Sequence, residues 1–519
     1  MGFFRRHKKL SATLLVVVIA VTAFVIRFAI TFLPVPLVIS KETTYITQPL
    51  RSDGSPDYLG ALNQRLSEGV TPENNAAVLF WRAAGPGILP SQLRRHYFQM
   101  LGVPPPPETG EYFVAVDKWI DRHRPNESEL VEKSFNNLSL AVTRPWSKQE
   151  FPVLAEWIAA SSKPMELVMA GTKRPRRYDP LMLANEQEES LVNALLPDTQ
   201  QCRDFARCLV ARAMLRLKEG KADEAWSDLL ACHRLARLTA EGPFFIDALV
   251  AIAIDGTASV GDYALLEHAK LTATQISKMR RDFAGLPPMP RIADLMDQSE
   301  RFVVLDFALS MNRQITSQYG ADMKKLGLSL TAGVDWNIVL RIINSWYDRL
   351  VTAVRKPTRA ERQKAIDEVE SDLKKEGAEA MNWKSLASLL LNRRKVASWR
   401  VGMIVSSLMM PAEGVVSTAE DRWTMQFEIT KLALALAEYH AKHSRYPVRL
   451  ITLAPKYLRE VPKDIFNNDA DLHYSRKGDG YLLYSVGENG KDDGGRGRDD
   501  AKNGEGWDDL AVRMSAVKP

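Results

Sequence analysis

Six aspartates and two asparagines crowd the stretch Gly487–Asp509, interleaved with glycine. The loop Gly487-Glu488-Asn489-Gly490-Lys491-Asp492-Asp493-Gly494-Gly495 runs on through Asp499-Asp500 to Trp507-Asp508-Asp509-Leu510. Carboxylate and carbonyl oxygens gathered on a glycine-rich loop are the ligands that a hard cation such as Ca²⁺ takes. So many like charges on a short loop with fixed ends repel one another unless a cation sits among them, the alternative being a solvated connection between strands. Two other calcium patterns fail. Asn467-x-Asp469-x-Asp471 lacks the Gly and Glu that complete an EF-hand loop, and Gly494–Asp499 is a single nonapeptide copy where stacked copies are required.

Other chemistry is scarce. The sequence has no Gly-x-Ser-x-Gly, no His-Glu-x-x-His, no phosphate-binding Gly-x-x-x-x-Gly-Lys and no dinucleotide-binding glycine pattern. His440 and His443 share a helix face but read as a helix end, and Glu186–Glu189 reads as a solvated helix start. No catalytic residue and no organic cofactor is assigned. Cys202, Cys208 and Cys232 are odd in number and have no CxxC spacing, so buried free thiols are expected and a disulfide framework is excluded. A net charge of +6 over 519 residues, with no basic stripe bearing aromatics, argues against a nucleic-acid partner.

The elements that position the acidic loop follow from periodicity. Met425, Ile429, Leu432, Leu436 and Tyr439 fall at four- and three-residue steps, placing one apolar face on a helix over 421–443. Leu472–Arg476 and Tyr481–Val486 read as a hairpin around Lys477-Gly478-Asp479-Gly480, with Asp-Gly supplying the positive φ. Leu510–Met514 alternates and completes a small sheet that covers the helix and holds both ends of the loop.

Upstream, Arg5, Arg6, Lys8 and Lys9 precede an apolar stretch over residues 10–33, long enough to span a bilayer with the basic flank in the cytoplasm. This predicts a single-pass protein of a bacterial inner membrane with an extracytoplasmic body. Residues 1–40 form the anchor and 41–110 a loosely structured linker containing Pro104–Pro107. Residues 111–285 form a helical domain with one tetratricopeptide-like hairpin turning at Gly220, 286–416 a second helical region, and 417–519 the C-terminal module. The expected fold class is therefore mainly α: an N-terminal transmembrane helix, a helical body and a small α+β module of a long helix with an antiparallel sheet.

The module's motifs are Leu434-Ala-Leu-Ala-Glu-Tyr439, Arg445-Tyr446-Pro447, Leu453-x-Pro455-Lys456-Tyr457-Leu458, Val461-Pro462-Lys463-Asp464 and Tyr484-Ser485-Val486-Gly487. In that order they resemble the globular end of the type II secretion major pseudopilin, over about one fifth of the chain. The resemblance implies a long helix on a small antiparallel sheet and a C-terminal loop holding one Ca²⁺. Carried over by motif, Asn489 stands where the family has Asp, and Asp508 or Asp509 where it has the acidic pair before the last strand. Asp492 and Asp493 lie between, so the expected ligand set is Asn489, Asp492, Asp493, Asp508 and Asp509. The sequence thus points to a membrane-anchored structural or interaction protein with envelope or secretion-apparatus partners. An envelope hydrolase with its site in the helical body, and a peptide-binding helical-repeat protein, are the rival readings.

Overall fold

The computed structural model describes residues 16–22, 35–127, 129–184, 190–195, 197–325, 333–381, 386–410, 413–500 and 505–515. The protein is mainly helical, with a small antiparallel sheet at its C-terminal end. The expected membrane span over 10–33 lies largely outside the described residues, of which 16–22 are helical and exposed.

The stretch 41–110, expected to be loose, instead carries three short helices: α1 (Tyr58–Ser67), α2 (Ala76–Ala84) and α3 (Ser91–Met100). Asp57 caps α1 at Gly60 N and Asn75 caps α2 at Ala77 N, satisfying amides that a helix start leaves unpaired. Their order comes from large aromatic side chains. Trp81, Tyr97 and Phe98 meet edge to face at 5.1–5.6 Å, and Asp179 accepts from both Trp81 Nε1 and Tyr97 OH. Four further short helices follow, α4 (Val116–His123), α5 (Glu129–Ala141), α6 (Pro152–Ala160) and α7 (Ser162–Gly171), then a two-residue ribbon of β1 (Met182–Leu183) and β2 (Ala194–Leu195).

The body's centre is α8 (Pro197–Lys218), α9 (Ala222–Thr239), α10 (Phe245–His268) and α11 (Ala273–Ala284). The α8/α9 hairpin turns at Gly220, whose φ of 78° suits glycine. All three cysteines are buried and free within this core. Helix α10 is the one described helix long and apolar enough to cross a membrane, but it packs against α8, α9 and the last helix, which suits a core helix equally. Pro287, Pro288 and Pro290 then interrupt the helical pattern. Next come α12 (Ile292–Leu295), a π-helical turn (Met296–Glu300), α13 (Arg301–Lys325), α14 (Trp336–Val354), α15 (Arg359–Met381) and α16 (Leu386–Met409). The charged helix α15 is not solvated all round: Ile366, Val369 and Leu373 line its buried face.

Helix α17 (Glu413–His443) begins earlier than expected and joins the body to the module. Met425, Ile429, Leu432 and Leu436 enter the module core with Tyr481, Leu483 and Val512. On other faces Leu434 and Phe427 pack into the body core. The sheet that follows therefore covers only one side of α17, and α10 and α11 cover another. The ribbon β3 (Lys463–Asp464) and β4 (Ala470–Asp471) leads into a sheet of β5 (His473–Lys477), β6 (Gly480–Ser485) and β7 (Leu510–Met514), in that order and antiparallel. The β5–β6 turn carries its positive φ on Gly478, at 59°, rather than on the Asp-Gly pair. That is the first central position, where a type II′ hairpin turn needs glycine.

The close approach of α9 to α10 depends on Gly261, where a Cβ would lie 2.5 Å from Leu229 Cδ2. Gly261→Val should lower stability by about 1–3 kcal/mol through overpacking, measured by denaturant unfolding.

Candidate metal centre

Pairing of Ser485 with Leu510 closes the base of the acidic loop, so 24 intervening residues leave and rejoin neighbouring strands. Asp464 fixes the start of the loop. It is fully buried, and Oδ1 accepts from Ser485 Oγ at 2.7 Å and Phe466 N at 3.0 Å, while Oδ2 accepts from Val486 N at 3.0 Å. Three donors on one carboxylate leave it little capacity for a ligand. Asp464 is a positioning residue, quoted within a motif above but not assigned a role there.

Beyond Ser485 the chain must turn tightly against the far end of the loop. Gly487, at φ 70°, allows this: a Cβ there would lie 2.3 Å from the Asp508 carbonyl oxygen and 2.6 Å from its Oδ1. The turn brings Asp493, Asp508 and Asp509 together, each offering an oxygen within 4.8 Å of the other two. Asp508 is 7% exposed and Asp509 2%. Each uses one oxygen inside the protein: Asp508 Oδ2 accepts from Asn489 N at 3.2 Å, and Asp509 Oδ2 from Gly495 N at 2.7 Å. The other oxygen of each, Oδ1, is buried with no hydrogen-bond partner. No cation pairs with any of these three carboxylates among the described residues.

Of the five expected ligands, three converge. Asn489 instead donates from Nδ2 to Asp493 Oδ2 at 3.0 Å and to the Gly506 carbonyl at 2.9 Å, and its Oδ1 accepts from Lys491 N at 2.6 Å. It orients the cluster without pointing an oxygen at it. Asp492 faces outward, its Oδ1 accepting from Tyr484 OH and Gly494 N, each at 2.9 Å. Those bonds hold the Asp492 carboxyl below its ordinary range. Asp500 pairs with Arg513 at 2.6 Å. The difference within the set is physical: chain spacing placed five groups on one loop, but only the turn geometry decides which oxygens face inward.

Burial, with the charges of Asp493 and Asp492, pushes Asp509 up to about 6. A carboxylate strained in this way suits a divalent cation, which replaces the missing partner and relieves the repulsion. Oxygen-only ligands in irregular geometry suit Ca²⁺ over Zn²⁺, which prefers nitrogen and sulfur.

The remaining sites named from sequence fall elsewhere. His440 stacks on Tyr446 at 4.4 Å and His443 lies against Tyr439 at 4.3 Å, so each ring is taken up by its own aromatic partner. Glu186–Glu189 lies outside the described residues. A cavity of about 1000 Å³ runs along α14, and three of its carboxylates are committed: Asp348 to Arg301 at 2.8 Å, Asp297 to Arg301 at 2.8 Å and Arg355 at 3.1 Å, and Asp372 to Arg349 at 2.5 Å. A histidine with two acidic partners does exist, His233 between Asp255 and Asp262, but it is wholly buried. Spacing alone gave no signal for it. No protein-family model matches the chain, and neither a curated protein nor a solved structure matches it.

The sign of the Asp509 shift gives a pH dependence. An aspartate raised from about 3.9 to about 6 binds its proton more tightly when folded. In chelator, its contribution to stability is full below pH 4 and is lost as pH rises through 6. Thermal unfolding between pH 4 and 7 should show this slope, and Asp509→Asn should flatten it.

Proposed function

We propose that the protein is a membrane-tethered structural component of a bacterial envelope whose C-terminal module is pseudopilin-like and stiffened by one Ca²⁺. The observation that carries the calcium reading is the pair of buried, unpartnered oxygens on Asp508 and Asp509, with Asp493 beside them. A buried carboxylate oxygen with no partner costs about 1–3 kcal/mol or more. Here the cost recurs twice within one cluster that a single cation would satisfy. Ca²⁺ bound there ties the β6 end of the loop to the start of β7, so its binding energy becomes folding energy of the module.

The pseudopilin-like reading is supported by the order of elements: a long helix, a small antiparallel sheet, and an acidic loop before the last strand. The envelope reading rests on the basic flank and apolar stretch over 10–33. The expected partners are other envelope or secretion-apparatus proteins, met by the module on its tether. Filament assembly by the pseudopilin route is not part of the proposal, because here the apolar segment is not continuous with the module's helix. The burial of His233, which closes its two acidic partners off from any substrate, favours a structural role over hydrolysis. Peptide capture on the α8/α9 hairpin finds less support, since α10 and then the chain's own α17 take the neighbouring face.

Thermal unfolding of the full chain in detergent tests the calcium reading. Ca²⁺ at one hundred times its Kd should stabilise the protein by about 2.7 kcal/mol, and chelator should reverse the effect. The doubly substituted Asp508→Ala, Asp509→Ala protein should show no calcium-dependent shift. An equal shift in that variant contradicts the assignment of the site.

A further inference from the structure

The buried His233 group lies where α17 meets the body, and its contacts fix how many protons it holds. His233 Nδ1 is 2.6 Å from Asp255 Oδ1, and Nε2 is 2.9 Å from Asp262 Oδ2. Each contact needs a hydrogen between the two atoms, since two lone pairs at that distance repel. A neutral imidazole carries only one N–H, so the group must hold one proton beyond it.

Asp255 is the anion of the set. Besides His233 it accepts from Arg237 Nη1 and, on Oδ2, from Trp423 Nε1 at 2.7 Å. Asp262 has no second donor, and its Oδ1 is unpartnered. Burial raises Asp262 and lowers His233, so both effects favour the proton on the Asp262 side of the 2.9 Å contact. With Arg237 charged and Asp255 ionised, that proton makes the whole cluster neutral. Without it, the cluster carries a net negative charge in a site closed to water, an arrangement that buried ions strongly disfavour.

The groups around His233 are few. Its own α9 supplies Cys232 and Arg237, the former kept as a neutral thiol by burial, and α10 supplies Asp255, Asp262 and, near Asp262, Tyr263, whose phenol burial keeps protonated. Helix α11 presents the edge of Phe283 at 5.0 Å, and α17 presents Trp423 and Phe427, whose rings lie 5.7 and 5.2 Å from the Arg237 guanidinium. The nearby Asp228 is neutralised by Arg212 and Arg216, at 2.7 and 2.6 Å. The connection after α11 adds only the Pro287 carbonyl, which accepts from Arg237.

We propose that His233, Asp255, Asp262, Arg237 and Trp423 form a proton-loaded latch that seats α17 on the body, and that losing the shared proton loosens this seat. The unfolded chain at pH 8 has a neutral histidine and ionised aspartates, so folding takes up one proton at this cluster. Stability from the latch is therefore full between about pH 4 and 6.5 and falls as pH rises further.

The test compares the full-length wild type with Asp262→Asn from pH 6.5 to 9. Asparagine can donate to Nε2 of a neutral His233 and keeps the contact with no titrating proton. The wild type should lose melting temperature as pH rises, with amides of 416–434 losing hydrogen-exchange protection before the rest of the body. In Asp262→Asn both changes should flatten. Equal pH dependence in the two proteins, or an even loss of protection along the chain, overturns the proposal. If Asp262→Asn does not fold, calorimetric unfolding of the wild type at pH 8 in two buffers of different ionisation enthalpy decides. Release of about one proton supports the latch, and no release overturns it.

Discussion

Helix α17 is apolar on more than one side, and this is the constraint around which the C-terminal half is arranged. A helix with a single apolar stripe can sit on one sheet and leave its back in water. Here Met425, Ile429, Leu432 and Leu436 fill the module core while Leu434 fills the body core, all at 1% exposure or less. Burying a side chain of this size is worth about 1.5–3 kcal/mol. Removing either cover would therefore expose several such side chains at once, so sheet and body are held to the same helix. The acidic loop shares that frame, since Arg422 on α17 donates to the Asp508 carbonyl at 3.4 Å.

The molecule treats its buried carboxylates in different ways, and the acidic loop stands at one extreme. Several other buried charges are paired: Asp228 with two arginines, Glu438 with Arg280 at 2.6 Å and Lys442, and Arg301 with Asp297 and Asp348. Asp464 has no cation but receives three hydrogen bonds. Asp508 and Asp509 each accept from the backbone and each keep one bare oxygen. The same module thus contains a fully satisfied carboxylate and two that are half satisfied. A structural acid needs the first arrangement, and a cation site supplies its missing partner from solution.

Much of the module was legible in the sequence because its signals are local. The four- and three-residue spacing from Met425 to Tyr439 marks a helix face, the alternation over 510–514 marks a strand, and Lys477–Gly480 marks a turn, although its positive φ falls on Gly478 and not on Asp-Gly. The second apolar side of α17 was not legible, because Trp423, Phe427 and Leu434 merely widen a stripe until a partner shows that they face another core. Residues 41–110 were misjudged for a similar reason: short helices pinned by Trp81, Tyr97 and Phe98 carry too few turns for periodicity to register. The His233 cluster gathers residues from three helices, and no linear spacing announces it. Within the acidic loop the sequence located the ligand types, but whether Asp492 or Asp493 faces inward depends on one backbone turn.

The central claim is that Asp493, Asp508 and Asp509 together hold one cation, and terbium luminescence tests it most directly. Trp507 adjoins Asp508 in the chain and can sensitise a lanthanide bound in the loop. Tb³⁺ added to the full-length protein should give emission on tryptophan excitation that saturates at one ion per chain. Excess Ca²⁺ should extinguish it, and it should be absent when Asp508 and Asp509 are replaced by alanine. Emission that Ca²⁺ does not displace, or that persists in the doubly substituted protein, would contradict the account.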